Sequence, residues 1–183
     1  TGSLAALPSL PAHGKDPVLC VAYGPDHLLA SAGSDWRVVI RNWKDSAIPE
    51  QVIQDLGGAP THIGFNHQNA EKVRLLIACA DGRLLICKPG NPLAIARIDL
   101  PATITSASFS ARDKWIVATA GTITYLINPD SPEIKPLAIP ISAAGESDGE
   151  NEIDSNRLNV RFAAISPDEK TLAICAEDGI VAA

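Results

Sequence analysis

Residues 28–33 (LLASAG), 75–80 (LLIACA), 115–120 (WIVATA) and 171–176 (TLAICA) repeat one pattern: an apolar run, a small polar or thiol residue, then alanine. The small residues are Ser31, Cys79, Thr119 and Cys175. Upstream of each run lies a second mark, an apolar residue two positions before an aromatic or branched one: Val21/Tyr23, Ile63/Phe65, Ala107/Phe109 and Ala163/Ile165. A sequence that repeats itself at such a period builds units that bury their faces on one another rather than on a single central core.

Working outward from these runs, short stretches rich in Val, Ile, Leu and Thr alternate with Gly, Pro, Asp and Asn clusters, and no window holds an i, i+3, i+4, i+7 stripe over three turns. This predicts short antiparallel strands and no helix. Each repeat reads as four strands, a to d. In the first they fall at 18–23, 27–32, 38–43 and 51–56, in the second at 61–65, 74–80, 84–88 and 93–100, in the third at 104–110, 114–120, 122–128 and 134–141. The fourth offers 159–165, 171–176 and a strand at 180–183, and residues 4–10 read as a strand d of a preceding unit. The expected fold is all-β: an arc of four-stranded antiparallel blades of a β-propeller, an incomplete ring. The expected divisions are a preceding strand at 1–12, blades at 13–58, 59–101 and 102–141, an acidic loop at 142–157 and a partial blade at 158–183.

Composition sets outer limits. With 183 residues, 46 % apolar and 20 % charged, the chain is globular rather than disordered. Its apolar runs are about six residues long, against roughly 20 for a membrane-spanning helix, and no charged-then-apolar leader opens the sequence. A net charge of −6 with scattered lysines and arginines argues against a nucleic-acid surface. Cys20, Cys79, Cys87 and Cys175 lie in or at the end of apolar runs with no CxxC spacing. Together with the lack of an N-x-Ser/Thr site, this favours reduced core thiols in a cytoplasmic or nuclear protein. A Cys79–Cys87 disulfide across a tight turn is the rival reading. The segment 142–155 carries five acidic residues and no basic one, as a solvated loop or a docking tail for a basic partner, and it lacks the spacing of a calcium loop.

Taken together, these residues resemble the WD-repeat family of β-propellers over essentially the whole chain. The first repeat offers His13, then Tyr23-Gly24-Pro25-Asp26, Ser31, Asp35 and Trp43; the second Cys79 and Asp81-Gly82, with Cys87 where the family has Trp; the fourth Ile165-Ser166-Pro167-Asp168, Cys175 and Asp178-Gly179. The departures are a reversed His13-Gly14, a Trp43 eight rather than six residues after Asp35, Lys44 in place of the Asp of the dipeptide, and a third repeat with Ala120-Gly121 at its turn and Leu126 for Trp. The resemblance implies a hydrogen-bond network of His13, Ser31, Asp35 and Trp43 in the first repeat alone.

Little in the chain points to chemistry. His62 and His67 with Cys79 suggest a metal, but two histidines five apart in an extended strand point to opposite faces, so no metal site and no cofactor are expected. None of the phosphate-loop, zinc-protease or nucleophile-elbow motifs is present. The resemblance implies a non-catalytic scaffold that binds a protein or peptide on the face where the d–a and b–c loops emerge. There the candidates are Lys15 and Asp16 before the first strand a, Trp36 and Arg37 after Asp35, and Arg83 in the second repeat. Trp36 is either an interface anchor or folds back on its own blade. The rest of the ring is expected from the same or a sister chain. The rivals are a ligand-sensing, autoinhibitory propeller of a multidomain signalling or defence protein, and a propeller enzyme with His62 at the channel.

Overall fold

The computed structural model describes residues 12–67, 72–131, 137–140, 159–177 and 179–182. The described residues form no helix and fifteen strands in four antiparallel sheets. Blade one is β1 (Val18–Tyr23), β2 (Leu28–Gly33), β3 (Val38–Asn42) and β4 (Gln51–Ile53). Blade two is β5 (Pro60–Phe65), β6 (Leu75–Cys79), β7 (Arg83–Lys88) and β8 (Asn91–Asp99). Blade three is β9 (Ile104–Phe109), β10 (Ile116–Ala120), β11 (Ile123–Ile127) and β12 (Leu137–Pro140), and blade four is β13 (Val160–Ile165), β14 (Leu172–Ala176) and β15 (Gly179–Ala182). In every sheet the strands lie in chain order. The first strands pack in series, β1 on β5, β5 on β9 and β9 on β13, as they must if they line a common axis.

The strands form where the apolar runs predict them. The expected strand at 18–23 is β1 residue for residue, and most other ends shift by one or two. β10 begins at Ile116 rather than 114 because the Trp115 carbonyl closes the preceding turn by accepting the Ser110 N–H at 2.8 Å. The strand read at 4–10 and the acidic segment lie outside the described residues.

Between blades the side chains interdigitate. Ala30, Ala32, Val38, Ile40 and Ile53 of blade one meet Ile63, Leu75, Ile77, Cys79 and Cys87 of blade two. Leu76, Ala78, Leu84, Ile86 and Ile98 of blade two meet Ala107, Phe109, Ile116, Ala118 and Tyr125 of blade three. Val117 and Leu126 of blade three meet Val160, Ala163 and Ile174 of blade four. Blade two is thus covered on both faces, which is why β6 reads as an unbroken apolar run instead of an alternation. Each fully buried Leu or Ile contributes about 1.5–3 kcal/mol.

The four small residues, expected at one repeated position, do not share one. The strand pairs Tyr23↔Leu29, Phe65↔Leu75, Phe109↔Ile116 and Ile165↔Leu172 align the blades. From those anchors Ser31 is two residues on, Cys79 four, and Thr119 and Cys175 three. Successive residues of a strand face opposite ways, so Ser31 and Cys79 point toward the preceding blade and Thr119 and Cys175 toward the following one. Unequal a–b turns shift the runs relative to the sheets.

Those a–b turns are joined from blade to blade. Asp113, in the a–b turn of blade three at φ 61°, accepts the His67 backbone N–H at 2.9 and 3.0 Å and approaches His67 Nδ1 at 3.0 Å. Glu169, in the same turn of blade four at φ 60°, accepts from Ser110 Oγ at 2.5 Å and the Arg112 N–H at 3.1 Å. In both turns a carboxylate held in the left-handed region reaches back to the preceding blade. The a–b turn of blade one, shorter by one residue, holds two left-handed residues, Asp26 at φ 51° and His27 at φ 64°.

Candidate recognition face

The d–a connections and b–c turns emerge together at the rim opposite the a–b turns, and blade one builds the most elaborate corner there. Gly14, at φ 61°, bends residues 13–17 into a turn closed by the Asp16 N–H to the His13 carbonyl at 3.0 Å. The Ser34 N–H then donates to the Pro17 carbonyl at 2.9 Å, fastening this turn to the b–c turn. Between them lies His13, only 2 % exposed. Its Nδ1 is 2.9 Å from Asp35 Oδ1 and its Nε2 is 3.0 Å from Ser31 Oγ. A carboxylate accepts, so Nδ1 carries the proton and Nε2 accepts the Ser31 hydroxyl. A Cβ at Gly33 would fall 2.5 Å from His13 Nδ1, so the ring approaches only because that residue is glycine.

Asp35 passes the order outward. Its Oδ1 accepts the Arg37 N–H at 3.2 Å and its Oδ2 accepts Arg37 Nε at 2.7 Å, with Nη2 at 2.6 Å. Burial alone would push the Asp35 carboxyl up, but hydrogen bonds from His13, the Arg37 side chain and the Arg37 backbone outweigh it and hold the carboxyl below its ordinary value. The Arg37 guanidinium is therefore held in a fork while part of it stays in solvent.

Beside it, Trp36 is 51 % exposed and sits at φ 59°. The pairs Ala32↔Val38 and Ala78↔Leu84 set Asp35, Trp36 and Arg37 against Asp81, Gly82 and Arg83. Blade two fills the left-handed position with glycine, Gly82 at φ 89°. Blade one fills it with the bulkiest side chain there is, where a left-handed L-residue costs roughly 1–2 kcal/mol.

Arg83 is held differently. Its Nε meets Asp81 Oδ2 at 3.0 Å, and its Nη1 donates to the Leu56 carbonyl at 3.2 Å. A Cβ at Gly57 would fall 1.4 Å from Nη1, so the guanidinium lies along that glycine. It ties the d–a connection to the b–c turn, as His13 does in blade one, and it belongs to a separate turn from the Trp36 corner. Lys15 and Asp16 lie exposed on the turn that His13 anchors.

Trp43 corrects the expectation. It takes no part in the His13 network and stands at the other end of the hairpin, where its N–H donates to the His27 carbonyl at 2.9 Å. Its indole meets the His27 and Tyr23 rings edge-on at 5.2 and 6.3 Å between centroids. The position six residues after Asp35 belongs to Arg41, 8 % exposed and paired with Glu50 at 2.9 Å. The two-residue excess noted in the sequence is real: Trp43 has left the strand rather than shifted the network. Arg41 could have been found by counting six from Asp35. Asp113 and Glu169, by contrast, carry no signal in a single sequence.

A further cleft of about 280 Å³ opens on this rim between blades three and four, lined by Thr103, Gly121, Asn159, Arg161 and Glu177 among others. Arg161 Nη2 pairs with Glu177 at 2.5 Å, and Asn159 Nδ2 donates to it at 3.3 Å. It lies at the two-residue turn between Ala120 and Ile123, where blade three has no Asp-x-Arg.

His67 is engaged by Asp113 and His62 lies on β5. No group of three or more His, Cys, Asp or Glu that could hold a metal occurs among the described residues. The four cysteines are free. Because Leu75 pairs with Cys87, Cys79 lies four residues along the hairpin from Cys87. That is about 13 Å at the strand rise, which rules out the disulfide. Burial, with the Asp81 charge second, pushes the Cys79 thiol up to about 12, and burial pushes Cys87 to about 11.

Comparison with known proteins fits this geometry. Residues 5–42 match the family model of the WD domain, G-beta repeat. No curated protein matches the chain. The crystal structure of the Myceliophteria thermophila Cps50 (Swd1) β-propeller domain superposes with a TM-score of 0.73 at 14 % identity, over 91 % of this chain and 52 % of that one. The chain thus spans about half the length of the propeller it matches. With a WD-type repeat matched at residues 5–42 and the arc superposing on a solved propeller, the chain has the fold of a β-propeller arc that opens on a WD-type repeat.

Proposed function

We propose that this chain is a non-catalytic interaction scaffold that binds a protein or peptide on the loop rim, with Trp36 as anchor, Arg37 as its oriented polar neighbour, and Lys15, Asp16 and Arg83 around them. Propellers of the WD-repeat type commonly serve as protein-interaction platforms and are generally non-catalytic. One observation carries the finer reading. A tryptophan occupies, half-exposed, a left-handed position that the neighbouring blade gives to glycine. Strain of that kind at an exposed aromatic has no use in folding and a ready use in recognition. The fixed guanidinium beside it lowers the entropy lost when a partner docks.

The test is affinity capture from cell extract by the wild-type chain and by a Trp36→Ala/Arg37→Glu double variant of unchanged circular dichroism, with bound proteins identified by mass spectrometry. The proposal expects specific partners to vanish from the variant. An identical set of captured proteins overturns it.

A further inference from the structure

We infer that β8, the outer strand of blade two, takes up an extended peptide of another protein as a fifth strand, apolar along Leu93 and Ile95 and charged to complement Arg97 and Asp99. The inference rests on the fold and is independent of the loop-rim reading. Blade two lies between blades one and three and both its faces are covered, so what it leaves open is its outer edge. The sheet order β5-β6-β7-β8 gives β8 a neighbour on one side, and among the described residues no strand pairs with the other side. The Leu100 N–H donates to the Gly82 carbonyl at 2.9 Å. By the alternation of an antiparallel ladder, the pairs Leu84↔Ile98 and Ile86↔Ala96 are then the hydrogen-bonded ones. The N–H and C=O groups of Arg97 and Asp99 therefore point away from β7, into the open edge.

β8 is nine residues long, the longest described strand, against three in β4 of blade one. Edge strands are commonly kept short or guarded by charge. This one is long, and it carries Leu93 and Ile95, 72 % and 56 % exposed. Register shifts on both sides of Cys87 put the extra residues in β8: Ile95, then Pro92 and Leu93. The two aliphatics thus have no partner across β7, and a bulge re-aims side chains away from the regular pleat. They follow directly on the open ladder of Arg97 and Asp99. Such a ladder dictates what covers it: another strand, which hydrogen-bonds the main chain and packs its own side chains on Leu93 and Ile95.

Charge selects the strand. Arg97 and Asp99 are both exposed, with Arg97 Nε 3.0 Å and Nη2 2.9 Å from Asp99 Oδ1. An incoming strand with a carboxylate opposite Arg97 and an ammonium opposite Asp99 complements both, whereas like charges directly opposite are destabilising. A second copy of β8 does not meet this pattern. Aligned parallel, it sets Arg97 on Arg97 and Asp99 on Asp99. Aligned antiparallel, it sets either the charges or the aliphatics opposite one another, never both. The occupant is therefore a strand of different sequence, with apolar, apolar, acidic and basic residues at alternate positions along Leu93, Ile95, Arg97 and Asp99.

The test uses the 183-residue chain and a pair of labelled synthetic peptides in which Thr alternates with Val, Val, Glu and Lys, one in that order for parallel docking and one reversed for antiparallel. Fluorescence polarisation reads binding, and amide hydrogen exchange reads its place. One of the peptides should bind with a Kd of about 1 mM or below and slow exchange at the Arg97 and Asp99 amides. Arg97→Pro removes an N–H that β7 does not use, a position where an edge strand tolerates proline. That variant and Ile95→Lys should each weaken binding about tenfold or more with unchanged circular dichroism, and exchanging Glu and Lys in the peptide should weaken it as well. Failure of both peptides to bind at about 1 mM overturns the inference, as does protection confined to the Trp36 turn. A wild-type chain that light scattering shows to be a dimer, and that Ile95→Lys makes monomeric, also overturns it, since the edge then takes a second copy.

Discussion

Asp113 of blade three and His67 of blade two are joined three ways: the Asp113 carboxylate takes the His67 backbone N–H through both oxygens, at 2.9 and 3.0 Å, and lies 3.0 Å from the ring Nδ1. Removing it leaves a backbone donor short of its acceptor and an αL residue without its reason. Asp113→Ala is expected to cost about 1–3 kcal/mol. Asp113→Gly, which relieves the left-handed backbone at φ 61°, should cost less. Urea denaturation of the two variants checks the order, and equal losses would show that backbone strain plays no part.

The His13 network predicts a stability change with acid. The folded carboxyl of Asp35 lies below its ordinary value. Its contribution is therefore fully present above the unfolded value, about pH 4, and is lost as pH falls through the folded one. Asp35→Asn should be less stable than wild type at neutral pH, with the gap closing below about pH 4. Chemical denaturation at neutral and acid pH measures it, and a gap constant with pH rules the carboxylate charge out.

Trp36 predicts a split between stability and binding. Trp36→Gly puts in place the residue blade two uses at that turn, so it should leave stability unchanged or raise it by up to about 1 kcal/mol while abolishing partner capture. A loss of more than about 1 kcal/mol on thermal unfolding would show that the indole packs on its blade.

Two glycines should behave in opposite ways. At Gly82, φ is 89° and a Cβ would fall 2.3 Å from the Leu100 carbonyl oxygen. At Gly64, in β5, nothing lies within 4 Å. Gly82→Ala should cost several kcal/mol, of the order that core overpacking and strain reach together, and Gly64→Ala should be tolerated. Parallel melting curves check both.

Thiol reactivity should follow burial. Cys79 and Cys87 are buried and their thiols pushed up to about 12 and about 11, so both stay protonated at neutral pH. Cys20 and Cys175 are half-buried. Ellman titration of the native chain should label at most the latter pair quickly, with Cys79 and Cys87 appearing only on unfolding. Fast labelling of Cys87 would contradict the blade one to blade two packing.

The strands and their order could be read from the runs because both faces of a blade are buried, and burial writes itself as Leu, Ile, Val and Ala. Ser31 and Asp35 were found because they stand where the resemblance to the WD repeat places the partners of His13. Trp43 was misplaced because the residues after β3 leave the sheet, and a side chain's identity does not announce where its backbone turns. The equivalence drawn among Ser31, Cys79, Thr119 and Cys175 failed for a related reason. It was read along the chain, whereas register is set across it, by a–b turns of different length. The Asp113 and Glu169 contacts span 46 and 59 residues, and nothing local marks a carboxylate as the one that reaches a neighbouring blade.

Those two carboxylates lie on the rim away from Trp36, and this divides the molecule's labour. Blade is bolted to blade by side chains along one rim, whereas on the opposite rim the main chain does it, the Val160 N–H of blade four donating to the Gly121 carbonyl of blade three at 2.8 Å. Side chains in the b–c turns can then change without moving one blade against the next. Grafting a new turn onto blade three, whose Ala120–Ile123 turn is the barest of the first three, would rewrite what that surface presents while leaving the scaffold intact, provided the graft keeps a carbonyl where Gly121 holds Val160.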